Sequence, residues 1–169
     1  MMIWAGFRLL FSTAYGNGPE WVNLSLSPTR LIKGIGELHS ELPIHTRFSL
    51  LAISAYGRTS DAWNIDLGAQ GRYYGIGDAK SGGFLAVELR YANILYRNEN
   101  DQFDAYFIRP AAIIGGKFQT DIGLTLDAGV GINYNQTIVS APGQNDAIRT
   151  GDWNRTFRLN VGWMISRSL

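Results

Sequence analysis

From Ile122 to Tyr134 every second residue is apolar (Ile122, Leu124, Leu126, Ala128, Val130, Ile132, Tyr134), and those between are small or polar (Gly123, Thr125, Asp127, Gly129, Gly131, Asn133). Successive side chains of a strand point to opposite faces, so this alternation specifies one long strand with an apolar and a polar side. A helix, with its 3.6-residue period, would mix the two sets. Thirteen residues exceed the five or six usual for a strand. A strand tilted across a bilayer needs about 9–11 residues in the hydrocarbon, and this one has them.

The same period recurs along the chain. Expected strands cover 20–27, 36–44, 47–58, 62–74, a fifth centred on 85–91, then 104–118, 122–134 and 153–165. Pro28 bends or ends the first strand, and 47–58 alternates less cleanly than the rest. Short links such as RTSD and QTD read as turns, whereas residues 136–152, holding SAPGQND, read as the longest and most polar loop. No stretch carries a helical 3.6 period, and none reaches eighteen consecutive apolar residues, so no membrane-spanning helix is expected. Residues 1–16, MMIWAGFRLLFSTAYG, read as a signal-peptide remnant or N-terminal extension ending in Ala14-Tyr15-Gly16, which leaves 17–169 as a single β-barrel domain. Eight strands after that segment is an even number, as in single-chain outer-membrane barrels; counting 1–16 as a strand would make nine.

The residue types indicate which side faces which medium. The polar sides carry Glu37, His39, Glu41, Asp66, Arg72, Glu88, Arg90, Arg109, Lys117, Asp127 and Arg158, five of each sign and one histidine. An eight-stranded barrel has an interior just wide enough for side chains to fill it, and buried charge is tolerable only when paired. A balanced set interspersed with glycine therefore fits a neutral interior network. Arginine, with twelve copies against three lysines, suits such pairing through its planar fork. Trp21, Trp63, Tyr73, Tyr91, Tyr96, Tyr134, Trp153 and Trp163 lie toward strand ends, where amphipathic rings sit at membrane surfaces. The expected fold is an all-β, eight-stranded antiparallel up-and-down transmembrane barrel.

The tracts VNLSLSPTRLIKGIGELHSELPIHTRFSLLAISAYG, GRYYG at Gly71–Gly75, and GGKFQTDIGLTLDAGVGINYN make the chain resemble small bacterial outer-membrane β-barrel proteins, many of them grouped as a barrel domain of unknown function. The resemblance spans roughly Trp21 to Ile165. It implies eight antiparallel strands in the outer membrane and carries over no catalytic residues. Such barrels often end in an aromatic residue, whereas this chain ends in MISRSL.

Chemistry is sparse. The two histidines are His39 and His45, and cysteine is absent, so thiol catalysis and cysteine metal sites are excluded. Ser40 follows His39 directly and faces the other way in a strand; Glu37 and Glu41 share its side, which fits an interior hydrogen-bonded group better than a triad. Side chains at i and i+2 diverge, so these three residues make a poor metal site. The glycine pairs 82–83 and 129/131 are followed by no helix to receive a phosphate. A net charge of +1 leaves no basic stripe for nucleic acid. The expectation is a non-enzymatic, monomeric outer-membrane barrel without cofactor or metal, with a side-chain-filled interior and no large pore. Its role would be structural, adhesive or membrane-maintaining, its partners membrane lipid, lipopolysaccharide and an extracellular partner of loop 136–152. Two alternatives are a soluble lipocalin-like carrier of a hydrophobic ligand and an outer-membrane lipid-modifying enzyme acting through His39.

Overall fold

The computed structural model describes residues 21–58, 62–97, 102–140 and 148–166; the expectations for 1–16 and for the side chain of Tyr96 lie outside them. The described chain forms eight strands: β1 (Trp21–Leu26), β2 (Ile35–His45), β3 (Phe48–Arg58), β4 (Ala62–Gly77), β5 (Gly82–Arg97), β6 (Gln102–Gln119), β7 (Leu124–Ser140) and β8 (Ile148–Ser166). Each pairs antiparallel with the next, and β8 returns to β1, which closes the sheet into a barrel. The closure is staggered. Following register partners from Asn23 through Glu41, Leu51, Gln70, Glu88, Ala111 and Asn133 leads to Asn154, ten residues from Met164, the residue of β8 that actually faces Asn23. Such a stagger tilts the strands, typically by about 35–45°.

Both described ends, Trp21 and Ser166, lie at one end of the barrel. The connections 46–47, 78–81 and 120–123 share that end and are short; Gly77 and Gly123 take the positive φ values (74° and 89°) that let them turn so tightly. The long strands β4 to β8 rise well beyond β1 toward the opposite end.

Three elements differ from the sequence reading. A one-turn helix, α1 (Pro28–Leu31), follows β1, with proline in its first turn, where a missing N–H costs nothing. β7 begins at Leu124, leaving Ile122 in the turn, and runs on to Ser140. The expected loop 136–152 is thus mostly a hairpin extension, in which Gln136 faces Gly151 and Thr137 faces Thr150. The β-branched run Thr137-Ile138-Val139 explains the pairing, since such side chains suit a pleated surface.

Alternation places the apolar set outside. Leu67, Leu85, Val87, Leu89, Ile114, Leu126, Val130, Ile132 and Phe157 are all exposed, while Glu37, His39, Glu41, Asp66, Arg72, Glu88, Arg90, Lys117 and Asp127 are buried. The weak alternation of β3 has a simple cause, because its inward side chains Leu51, Ile53 and Ala55 are also apolar and buried. Trp21, Tyr74, Ala79, Phe84, Ala86, Ile113 and Met164 form a buried apolar cluster inside the sheet.

Candidate functional site

The interior holds two ion-pair groups, each balanced in charge. Nearer the chain ends, Glu41 is the hub. Its Oε1 accepts hydrogen bonds from Ser49 Oγ at 2.6 Å and from Tyr74 OH at 2.7 Å. Its Oε2 accepts from Lys117 Nζ at 2.7 Å, with Arg72 Nη1 at 3.4 Å. Arg72 also pairs with Asp127, so two carboxylates meet two cations. Trp21 and Phe84 line this group, with Lys117 Nζ 4.6 Å from the Trp21 ring and the Arg72 guanidinium 4.3 Å from that of Phe84. Both are cation–π distances.

Higher in the lumen, Glu37, Asp66 and Glu88 meet Arg30, Arg90 and Arg158. Arg90 Nη1 reaches Glu37 Oε2 at 2.6 Å and Arg90 Nε reaches Glu88 Oε1 at 2.7 Å. Arg30 spans Glu37 (3.0 Å) and Asp66 (2.8 Å) from above, and Arg158 clamps Glu88 through both terminal nitrogens. His39 Nε2 contacts Glu37 Oε1 at 2.7 Å. Gln70 joins the two groups, accepting from Arg72 Nε at 2.5 Å and donating to Glu88 Oε2 at 2.9 Å. Every carboxylate hub therefore receives several donors, the condition under which buried charge is stable.

Ten of the eleven polar residues singled out in the sequence join this network. Arg109 also turns inward, in register with Arg90, but forms no ion pair among the described residues, and its Nε has no partner. Arg30, Ser49, Gln70 and Tyr74 were not singled out. For Tyr74 the signal was available: Asp66, Gln70 and Arg72 fix the inward parity of β4, and Tyr74 continues it. Arg30 carried no such signal, because it reaches the lumen from α1, where strand parity does not apply.

Of the aromatic residues expected at membrane surfaces, Trp21 is a correction. Its indole is buried in the lumen, because β1 turns Trp21, Asn23 and Ser25 inward together. Trp63, Tyr73, Tyr91, Tyr134, Trp153 and Trp163 sit on the outer side. Outer rings pair near both ends: Phe48 with Tyr73 at 4.9 Å toward the chain ends, and Tyr56 with Trp63 (5.6 Å), Tyr91 with Tyr106 (6.2 Å) and Tyr134 with Trp153 (5.2 Å) toward the other.

Tyr74→Phe tests the network directly. Deleting one hydrogen bond to a buried carboxylate is expected to lower stability by about 1.5–3 kcal/mol, read as the midpoint of denaturant unfolding. No change in midpoint would mean that the Tyr74 hydroxyl contributes nothing.

Fold and interior together define a class: a closed, eight-stranded antiparallel β-protein with ion pairs inside and apolar side chains outside. No family model matches the chain, and no curated protein is similar to it in sequence.

Proposed function

We propose that the protein is an integral β-barrel of the bacterial outer membrane whose role is structural, adhesive or membrane-maintaining rather than catalytic. The observation that carries this reading is the inversion of its faces. A soluble barrel buries apolar side chains and wets its exterior, whereas here ion pairs occupy the lumen and leucine, isoleucine, valine and aromatic residues cover the outside. Among the strand residues whose side chains the structure describes, the lysine, arginine and carboxylate side chains on outward positions are Arg58 and Arg155, both toward the end of the barrel away from Trp21 and Ser166.

The dimensions support the same reading. Trp153 and Trp163 are ten residues apart on the outer side of β8, with Phe157, Leu159 and Val161 between them, and Trp63 and Tyr73 repeat that spacing on β4. At about 3.4 Å per residue and a tilt of about 40°, ten residues rise about 26 Å. That is close to the roughly 25 Å apolar band that aromatic girdles flank in outer-membrane barrels.

A carrier of hydrophobic ligands would need the apolar set inside, and the lumen has ion pairs in that place. A lipid-modifying enzyme would need a reachable nucleophile and base, but the His39 ring is buried and bonded to Glu37. The filled cross-section favours little or no conductance.

Electrophoresis in SDS with and without boiling tests the proposal on protein folded into detergent. The unboiled sample should migrate at a different apparent mass and shift to the unfolded position on boiling. A protein that is monomeric and fully soluble without detergent would overturn the reading.

A further inference from the structure

Among the described residues, the barrel wall is incomplete at one place. β1 stops at Leu26, opposite Val161. Among the described residues, the edge of β8 over 148–160 has no strand on the side away from β7. α1 and the 32–34 turn stand there instead, with α1 close to both β2 and β8. Arg30 of α1 turns inward to Glu37 and Asp66, whereas Leu31 and the next residue, Ile32, are 62% and 87% exposed.

This seam joins three features. The β8 edge presents backbone N–H and C=O groups without strand partners, which hydrocarbon does not tolerate. Two cations flank it, Lys33 after α1 and Arg155 on the outer side of β8; both are exposed, and neither forms an ion pair among the described residues. Apolar surface surrounds them, with Leu31 and Ile32 on one side and Trp153 and Phe157, 70% and 63% exposed, on the other. Edge donors, unpaired cations and adjacent apolar surface together suit an amphiphile with an anionic head.

We propose that the seam between β8 and α1 binds an anionic lipid, with its phosphate between Lys33 and Arg155 and its acyl chains along Ile32, Leu31 and Phe157. The site rests on the membrane reading above. Phosphate oxygens accept from guanidinium, ammonium and backbone N–H alike. A hydroxylated headgroup adds donors for the edge carbonyls, so phosphatidylglycerol is a suitable probe.

The full chain, folded in neutral detergent and titrated with phosphatidylglycerol, is read by native mass spectrometry. A one-lipid adduct is expected, with retention about tenfold weaker in the double variant Lys33→Gln/Arg155→Gln. Lys80→Gln, which removes an exposed cation from the 78–81 turn at the opposite end of the barrel, should leave retention unchanged. Hydrogen exchange should show amides within 152–160 protected by phosphatidylglycerol and not by a neutral diacylglycerol. Equal retention in the double variant, an equal loss in Lys80→Gln, or full protection before lipid is added would each overturn the site; the last would mean that another part of the chain covers the edge. Boiled and unboiled mobility on the same samples separates the two levels. A heat-modifiable barrel that fails these lipid tests defeats only the seam site, whereas a protein soluble without detergent defeats the membrane reading and the seam site with it.

Discussion

Glu41→Ala is expected to destabilise the barrel by about 3–5 kcal/mol, the cost of leaving buried charge without its partner. Glu41 receives Ser49, Tyr74, Arg72 and Lys117, and Asp127 is the one other carboxylate in this half of the network. Truncation therefore leaves Arg72 and Lys117 facing a single acid in a space closed by Trp21, Phe84 and Met164. Lys117 suffers most, because its remaining contacts are the Ala79 carbonyl at 3.1 Å and the Trp21 ring. Adding Lys117→Met to Glu41→Leu removes one charge of each sign and keeps the Arg72–Asp127 pair, so this double variant should recover more than half of the loss. Guanidinium titration followed by the unboiled band measures both. A midpoint for Glu41→Ala equivalent to less than about 1 kcal/mol of destabilisation would show that the network contributes little to the folded state.

The network was legible in the sequence to the extent that strand parity carries it. Inward parity is shared by every second residue, so Glu37, His39 and Glu41 on β2, or Asp66 and Arg72 on β4, announce one face from their spacing alone. The outer face announces itself the same way, because the outward-facing and lumen-facing sets are chemically distinct. Parity is silent on what lies across the lumen. That Arg90 meets Glu37, or Lys117 meets Glu41, depends on the ten-residue stagger of the closure, which no single strand encodes. Parity also misleads where both faces are alike, as with Leu51, Ile53 and Ala55 on β3. At Trp21 the residue type, a frequent membrane-surface aromatic, prevailed over a parity that pointed inward. The helix α1 escaped because four residues cannot express a period, and with it went Arg30. The hairpin extension of β7 and β8 was hidden by the polar, proline- and glycine-bearing run beyond it.

Closure itself is most vulnerable at Gly162. This residue faces Ser25 across the β1–β8 seam, and a Cβ there would lie 2.7 Å from the Ser25 Cα and press on the Leu24 carbonyl oxygen. These are backbone atoms, which cannot swing aside as a flexible side chain would. β1 pairs with β8 over only six residues, Trp21 to Leu26 against Ser166 to Val161, so there is little ladder on either side to absorb a displacement. Gly162→Val should thus cost more than the roughly 1–3 kcal/mol of ordinary overpacking and leave β1 and β8 unpaired. The expected result is loss of the heat-modifiable band and a protein that migrates alike before and after boiling. Gly71→Ala is the control, since a Cβ there points outward and comes no nearer than 4.0 Å to Val87; its stability should stay within about 0.5 kcal/mol of wild type. If Gly162→Val keeps the wild-type unboiled mobility and unfolds within about 1 kcal/mol of the parent, the β1–β8 pairing is not what closes the barrel. The short first strand would then be an adjunct to a sheet held together from β2 to β8.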